Sequence, residues 1–416
     1  MSRRADPSTL PQLCQAMFAG HRVEAFGERF HVPAAREYAC LFSWDSGYHA
    51  LALQHLDPAA AAAELWALFR ANTCEDGLLA HERPLPGAEA RTAWVIEALG
   101  PIYRPDGRSW LIDPPVGAYA AARLYLGGAC ADTDLLRLAT RSLEAIDAHR
   151  RLAPDGAAVL LHPLESGADA SPLFDPLVDV SSRRALLACH RALSACVADA
   201  GYDLRTAVAG GHAFVVSDPI FCGWHLLALE ELSRAWRKAG APDRAVMLEA
   251  RAESLGAAMV RDLWSPELNL FVGYDHVGRR ALATPTLGGI IAAASRYMIA
   301  RGYGEKVVAA HLDPDRSAFW GPYGIAFNPL DGLAINPRAL LWRGDVVWGA
   351  TQYWGHLVLS RNGAAGAAEF ARSQMADLIA NWGFREFYSS VSGEGYGAGA
   401  QGGFTWPALV LDMTAA

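Results

Sequence analysis

An irregular stretch in the middle of the chain reads His162-Pro-Leu-Glu-Ser-Gly-Ala-Asp-Ala-Ser-Pro-Leu-Phe-Asp175. It carries three carboxylates and a histidine, and the apolar periodicity of the segments on either side stops across it. Pro163, Pro172 and Gly167 predict a loop of fixed shape. Such loops often carry binding and catalytic side chains, so the stretch is a candidate site, although a solvated acidic loop would have the same composition.

On both sides of this loop the chain is patterned for helices, and strand signals are few, chiefly 26–32 and 271–274. The predicted helices cover about 8–19, 59–72, 89–99, 116–126, 133–149, 181–199, 221–239, 243–263, 287–301, 306–312, 346–360, 364–381 and 405–413. Many are rich in alanine and leucine with narrow polar faces, which indicates packing on both sides. A toroid of paired helices satisfies this pattern better than a small bundle.

The composition limits the function. Of the 416 residues, 52% are hydrophobic and 19% are charged, which is typical of a globular protein with a large core. Acidic residues outnumber basic ones by 44 to 36, so we expect no nucleic acid partner. Thirteen tryptophans and thirteen tyrosines exceed the needs of a core and suit a cleft for sugar rings.

The cysteines and histidines show no metal-site pattern. The seven cysteines include no C-x-x-C, which is typical of reduced thiols rather than of disulfides or a zinc site. The thirteen histidines include no H-x-H, no H-E-x-x-H and no pair four residues apart. We expect neither a metal nor a cofactor.

The start of the chain shows no targeting signal. Arg3-Arg4 is followed by polar residues and prolines, not by an apolar segment. The alanine-rich runs are interrupted before they reach membrane-spanning length. These features predict a cytoplasmic protein without membrane contact, and they leave a homo-oligomer open.

Asp45 and His49 lie four residues apart, so a helix that begins near Ser46 would place them on one face at its first turn. A capping aspartate with a core histidine is one interpretation. The other is a sugar-binding cup, because aromatic residues surround the pair. Further loops that combine aromatic or histidine residues with charges lie at 77–83, 110–115, 216–221 and 341–348. In a toroid, alternate loops meet at one end of the ring.

Four motifs occur in order along the chain: Ser43-Trp-Asp-Ser-Gly-Tyr-His-Ala50, His162-Pro-x-Glu-Ser-Gly-x-Asp-x-Ser-Pro-x-x-Asp175, Trp342-Arg-Gly-Asp-Val-Val-Trp348 and Gly383-Phe-x-Glu-Phe-Tyr388. Together they resemble glycoside hydrolase family 63 and its trehalase-like relatives among the six-hairpin glycosidases. In its length and in the residues of these motifs, the chain is most similar to the short bacterial enzymes that hydrolyse mannosylglycerate and glucosylglycerate. The resemblance implies an all-α (α/α)6 toroid, one domain over residues 1–416, and a small carbohydrate substrate.

The resemblance also implies an inverting mechanism with two carboxyl groups about 6.5–9.5 Å apart. By motif position Asp169 is the general acid and Glu386 the general base. The acid must keep its proton, so we expect a raised pKa of Asp169 from burial or from a neighbouring carboxylate, Glu165 or Asp175. The expected substrate-binding residues are Tyr38, Trp44, Asp45, His81, Asp113, Trp342, Arg343 and Gln401.

The chain departs from the family pattern at Leu164, Ala170, Phe174, Asp345 and Asp113. Asp113 stands where the glycerate-type enzymes usually carry glutamine. If it faces the cleft, its charge disfavours a glycerate carboxylate and favours a neutral or amino-bearing α-glycoside. Otherwise it turns outward or caps the helix that follows.

Some alternatives remain at this point. Glu394, in a Gly-Glu-Gly context, rivals Glu386 as the base. Another toroid enzyme, such as a sugar 2-epimerase, would need histidines as acid and base, and the candidates are His49, His81, His162 and His225. A sugar-binding relative without catalysis is the third alternative.

Overall fold

The structure is a computed structural model that describes residues 9–331, 341–398 and 403–413. Helices dominate these residues, and the strands between them are two to four residues long. The α-helices are α1 (Leu10–His21), α2 (Ser43–Leu53), α3 (Pro58–Ala71), α4 (Glu89–Leu99), α5 (Val116–Gly127), α6 (Thr133–His149), α7 (Arg183–Asp199), α8 (Leu204–Ala209), α9 (Pro219–Lys238), α10 (Pro242–Asp262), α11 (Arg296–Ala300), α12 (Tyr303–His311), α13 (Gly349–Arg361) and α14 (Ala365–Trp382). Shorter 3₁₀ helices cover Pro163–Ser166, Pro172–Phe174, Leu287–Ala294 and Trp406–Leu411.

The strands form small antiparallel sheets at the ends of the helices. They are β1 (Arg22–Ala25), β2 (Glu28–His31), β3 (Cys40–Phe42), β4 (Glu82–Pro84), β5 (Val216–Ser217), β6 (Trp264–Ser265), β7 (Leu270–Phe271), β8 (Gly273–Asp275), β9 (Arg280–Leu282), β10 (Trp320–Gly321), β11 (Gly324–Ile325), β12 (Val346–Trp348), β13 (Phe387–Ser389) and β14 (Gly395–Tyr396). β3, β5 and β12 lead into α2, α9 and α13. The pairing of β12 with β13 and of β13 with β14 fixes the backbone around Glu386.

Six helices form a closed inner ring. α2 packs against α5, α5 against α9, α9 against Leu287–Ala294, that segment against α13, α13 against Trp406–Leu411, and the last segment against α2. Every residue of α2 and of Leu287–Ala294 is buried, because each inner helix has neighbours on all sides. Gly47 shows how closely they approach, since a Cβ there would lie 2.7 Å from the backbone of Gly117 in α5.

An outer layer packs against this ring. α3, α6, α10, α12 and α14 contact the inner helices α2, α5, α9, Leu287–Ala294 and α13 in that order, and α1 contacts the last inner helix. The predicted (α/α)6 toroid is confirmed. α4 and α7 pack against each other and contribute to a second, smaller hydrophobic cluster. No helix in the described ranges is both long enough and apolar enough to cross a bilayer.

Several predicted elements differ in detail. The helix expected at 287–301 is a 3₁₀ helix followed by α11, because two glycines begin it and the Ser295 side chain caps a new start at Met298 N. Residues Val346–Trp348 form a strand because they pair with β13. The segment predicted as a strand at 26–32 belongs to a hairpin that turns at Phe26 and Gly27, both with positive φ.

Candidate active site

A cavity of about 420 Å³ opens where three inner helices begin. Trp44 and Asp45 reach it from the first turn of α2, Trp348 from the residue before α13, and Trp406 from the first residue of the last inner helix. Closure of the ring therefore brings side chains from both ends of the chain into one pocket. Of the loops expected to meet at one end of the toroid, 77–83, 162–175 and 341–348 line this cavity, whereas 110–115 and 216–221 contribute no lining residue.

Four tryptophans, Trp44, Trp342, Trp348 and Trp406, form what we call the aromatic wall of the cavity. The rings of Trp342 and Trp348 are stacked with centroids 4.3 Å apart. Trp44 and Trp406 meet edge to face at 5.1 Å. Trp342 has a φ of +64°, an uncommon conformation for a bulky residue, so tight packing holds it in place. The wall offers flat apolar faces of the kind that bind sugar rings.

Asp45 is buried in this wall and accepts a 2.7 Å hydrogen bond from Nε1 of Trp406. Burial and the nearby Asp113 carboxylate raise the pKa of Asp45 to about 8. A carboxyl group that keeps its proton at neutral pH can donate as well as accept a hydrogen bond. The structure thus places Asp45 in the cavity and not as a helix cap, whereas His49 binds Glu64 and Thr405 in the core.

Asp169 lies in the loop that follows the 3₁₀ helix Pro163–Ser166, and it lines the cavity. Gly167 makes this path of the loop possible in two ways. Its φ is +76°, which favours glycine, and a Cβ at this position would overlap the ring of Trp44. The loop therefore lies directly against the aromatic wall.

Two ion pairs support the same loop, one of them buried. Both carboxylate oxygens of Glu165 accept hydrogen bonds from the guanidinium of Arg150, at 2.6 and 3.1 Å, and Glu165 is fully buried. Arg343 donates to the carbonyl of Ala170 at 2.8 Å and pairs with both carboxylate oxygens of Asp175. Each carboxylate is thus neutralised by an arginine.

Burial raises the pKa of Asp169 to about 6, and the imidazole of His81 acts in the opposite direction. The raised pKa is as predicted. The suggestion that Glu165 or Asp175 raises it was wrong, because those carboxylates are paired with arginines and desolvation is the cause.

Glu386 also lines the cavity, from the position just before β13. Its Oε1 accepts a 2.7 Å hydrogen bond from the hydroxyl of Tyr38, and its Oε2 accepts one of 2.5 Å from the backbone N–H of Ala398. Burial raises the pKa of Glu386, and these two donors oppose the rise because they stabilise the charged form. The charge of Asp169 adds to the rise, so the two carboxyl groups interact.

His81 lines the cavity, and Asp113 lies behind it. Oδ1 of Asp113 accepts a 2.6 Å hydrogen bond from Nδ1 of His81, and Oδ2 accepts one of 3.2 Å from the backbone N–H of Trp44. Burial disfavours a charged His81, but Asp113 more than compensates and raises the pKa of His81 to about 9. The expectation that Asp113 faces the cleft, turns outward or caps α5 was wrong, because it is buried, its charge is paired with His81, and no side chain caps α5.

Of the remaining candidates, Tyr38 and Trp342 line the cavity. Arg343 is not among the described lining residues and instead supports the Asp169 loop. Gln401 lies outside the described residues. Glu394, the rival base, is half-buried and does not line the cavity, whereas Glu386 does.

The histidines that an epimerase would use are dispersed. His49, His162 and His225 are buried away from the cavity lining, and His81 alone of the four reaches it. In the described part of the chain, no group of three or more histidine, cysteine or acidic side chains could hold a metal ion.

The sequence patterns did not predict a second group of lining residues. We call it the aliphatic wall, and it consists of Val95, Leu99, Ile102, Leu164, Leu186 and Leu187. Four of these residues belong to α4 and α7, whose apolar faces were visible in the sequence as ordinary core positions. His190 of α7 also lines this side, and Arg91 and Arg183 lie at the cavity as well.

Comparisons with known proteins agree with this geometry. Residues 38–406 match the family model described as mannosylglycerate hydrolase MGH1-like glycoside hydrolase domain. The chain is 25% identical to a mannosylglycerate hydrolase of Rubrobacter radiotolerans, with 92% of each chain covered. The crystal structure of the GH63 mannosylglycerate hydrolase from Thermus thermophilus in complex with glucose has a TM-score of 0.78 at 23% identity, covering 97% of this chain and 99% of that one.

A more distant likeness extends to trehalases. The neutral trehalase Nth1 of Saccharomyces cerevisiae has a TM-score of 0.58 at 15% identity, over 93% of this chain and 73% of that one, and it supports the fold alone. The family match covers most of the sequence, including the cavity residues from Tyr38 to Trp406. The chain therefore belongs to the MGH1-like family of glycoside hydrolases.

Proposed function

We propose that this enzyme hydrolyses a small α-linked glucoside or mannoside with inversion at the anomeric carbon. Asp169 is the general acid and Glu386 the general base. The observation that carries this proposal is the unequal environment of two carboxyl groups in one cavity. Burial raises the pKa of both groups and favours the protonated form of Asp169, whereas at Glu386 the hydrogen bonds from Tyr38 and the N–H of Ala398 oppose the rise and favour the charged form.

The chemistry follows from these protonation states. Asp169 transfers its proton to the glycosidic oxygen as the bond from that oxygen to the anomeric carbon breaks. Glu386 takes a proton from a water molecule, whose oxygen attacks the anomeric carbon from the opposite face. The aglycone leaves as an alcohol, and the sugar is released with inverted configuration.

The aromatic wall supports the position of the sugar. We propose that Trp44, Asp45 and Trp406 hold the sugar ring whose glycosidic bond is cleaved. The reason is that Trp406 fixes the Asp45 carboxyl at the start of α2. The names of the Rubrobacter and Thermus relatives support a hexoside as the class of substrate. We also propose that residues 1–416 act as one catalytic domain.

The test is hydrolysis of a panel of α-linked disaccharides, alkyl α-glycosides and glycosylglycerates. Proton NMR in the first minutes of the reaction should show the β-anomer appearing first. An α-anomer that appears first would exclude inversion, and a panel without any hydrolysed member would exclude the activity.

Variants test the assignment of the residues. Asp169→Asn and Glu386→Gln should each lower kcat by roughly 10²-fold or more. The matched controls are Asp179→Asn, an exposed carboxylate near the same loop, and Glu394→Gln. If Glu394→Gln loses activity while Glu386→Gln keeps it, the base is Glu394.

A further inference from the structure

Besides the proposed catalytic carboxyl groups and the aromatic wall, the aliphatic wall lines the cavity. Leu164 belongs to the same loop as Asp169, and it packs against the hydrophobic cluster that contains Val95 and Ile102. The four tryptophans of the aromatic wall belong to the main core, together with Leu186. The loop of Asp169 thus contributes Leu164 to the aliphatic surface, while its Gly167 lies against Trp44 of the aromatic surface.

The position of the acid decides which surface receives which part of the substrate. A general acid protonates the oxygen of the leaving group, so the aglycone lies on its side of the bond. Leu164 lies five positions before Asp169 on this loop, and it shares a hydrophobic cluster with Val95, Leu99 and Ile102 of the aliphatic wall. The aglycone thus meets the aliphatic wall while the sugar meets the aromatic wall.

The size of the cavity agrees with an aglycone larger than a three-carbon acid. Its volume of about 420 Å³ lies in the range of sites that bind drug-sized ligands, roughly 300–1,000 Å³. At the rim, the side chain of Trp94 is 57% exposed although it also lines the cavity. The indole of Trp94 therefore adds partly exposed apolar surface to the cavity lining.

Among the lining residues that the structure describes, the cationic side chains do not favour an anionic aglycone. Arg91 binds both carboxylate oxygens of Glu82, at 3.0 and 2.7 Å. His81 is paired with Asp113. Arg183 is exposed at the first turn of α7, where water weakens any ion pair.

His190 of α7 is a buried polar residue that lines the cavity together with the aliphatic wall. In the described structure neither ring nitrogen has a hydrogen-bond partner. Burial lowers the pKa of His190 to about 4, so the ring is neutral at pH 7. A neutral imidazole can meet an ether or hydroxyl oxygen of the ligand, and it contributes no net charge to bind a carboxylate.

We propose that the natural substrates are α-glycosides with an uncharged, apolar aglycone, an alkyl or aryl alcohol, that binds against the aliphatic wall beside His190. This inference rests on the proposed function and names the class of its leaving group. It differs from the glycerate named for the relatives, because the side of the cavity next to the acid is aliphatic.

The experiment compares kcat/KM for methyl, butyl and hexyl α-glucosides and α-mannosides with kcat/KM for the corresponding glycosylglycerates. Simple alkyl alcohols are similar leaving groups, so differences within the series report binding of the chain. We expect kcat/KM to rise up to about fourfold per buried methylene, and at least about tenfold from methyl to hexyl. The hexyl glycoside should also exceed the glycosylglycerate.

Two variants locate the effect. Leu99→Ala and Leu187→Ala should each lower kcat/KM for the hexyl glycoside by about tenfold and flatten the dependence on chain length. Both residues are half-buried, so the fold should tolerate the change, and thermal unfolding checks this. The matched control is Ile96→Ala, since Ile96 lies on the same helix α4 but is 45% exposed and does not line the cavity.

The possible failures are distinguishable. If glycosylglycerates are better substrates and kcat/KM is flat along the alkyl series, the aglycone proposal is wrong while the proposed hydrolase function stands. If no α-glycoside of either kind is hydrolysed, the proposed function fails and the aglycone proposal falls with it. If a variant does not fold, the alkyl series measured on the wild-type enzyme still decides whether the aglycone proposal holds.

Discussion

The hydroxyl of Tyr38 donates a 2.7 Å hydrogen bond to Oε1 of Glu386 and so links the start of the chain to the segment before β13. Burial raises the pKa of Glu386, and this bond lowers it together with the N–H of Ala398. A base must be ionised to remove a proton from water. If Glu386 is the base, as proposed, Tyr38 helps to set the pH at which it can act.

Tyr38→Phe should shift the acidic limb of the kcat/KM profile to higher pH. The variant removes a donor that stabilises the carboxylate, so Glu386 holds its proton to a higher pH. We expect roughly tenfold lower activity on the acidic side and recovery as the pH rises, since a hydrogen bond to a charged group contributes about 1.5–3 kcal/mol. Tyr125→Phe, on α5 and away from the cavity, is the control. An unchanged acidic limb would contradict the role of Tyr38.

The wild-type enzyme should lose activity above about pH 6. Asp169 must be protonated to act as the acid, and its pKa is about 6. The protonated fraction then falls about tenfold for each further pH unit, and kcat/KM should follow it with an uncharged substrate. Constant kcat/KM up to pH 9 would show that Asp169 is not the acid or that its pKa is much higher.

Asp169→Asn should lower activity and raise stability at neutral pH. The folded-state pKa of about 6 exceeds the ordinary aspartate value of 3.8, so wild-type stability falls as the pH rises from about 4 to about 6 and stays lower above that. The asparagine variant lacks this penalty and should gain about 1–2 kcal/mol at pH 7.5, after allowance for solvent in the cavity. Thermal unfolding at pH 7.5 and pH 4 checks the sign, because the difference should nearly vanish at pH 4.

Arg343 and Asp175 should act as one unit that positions the Asp169 loop. Arg343→Lys cannot keep both contacts to Asp175 and the bond to the Ala170 carbonyl, so we expect roughly tenfold lower kcat with little change in KM. Asp175→Asn should have a similar effect, and the double variant should be no worse than either single variant. Arg29→Lys, in an exposed pair with Glu24, is the control. Additive losses would show that the two residues act separately.

Asp113→Asn should lower the pKa of His81 from about 9, because burial would then act without a compensating carboxylate. Histidine signals in NMR titrations measure this, and the signal of His311, outside the cavity, should keep its position. The loss of positive charge at His81 also predicts that Asp113→Gln does not improve activity on a glycosylglycerate. An improved activity would mean that Asp113 itself repels the glycerate.

Part of this arrangement can be predicted from the sequence. The toroid was predicted from alanine- and leucine-rich helices with narrow polar faces, and helices such as α2 are indeed buried along their whole length. Asp169 and Glu386 were selected by their positions in motifs that resemble those of glycoside hydrolase family 63, because composition alone does not single them out among the neighbouring carboxylates. Both line the cavity, and their catalytic roles stay a proposal.

Other parts of the site depend on which loops lie next to each other in the folded chain, and local sequence patterns do not predict this. Glu165 pairs with Arg150 across an irregular turn, and Asp113 pairs with His81 from another loop, so neither partner could be chosen by spacing. The aliphatic wall could not be predicted from the sequence either. Leu99 and Leu187 have ordinary amphipathic positions, and only tertiary packing decides whether such a position contacts the core or a cavity.

The contact between Gly167 and Trp44 also constrains the order in which this site can diverge. A side chain at position 167 overlaps the indole until Trp44 is replaced by something smaller, so a change at 44 must come first along any path that keeps the enzyme active. Even then the φ of +76° favours asparagine over other replacements. Among descendants of this sequence, a residue larger than glycine at 167 should therefore occur only together with a reduced side chain at 44.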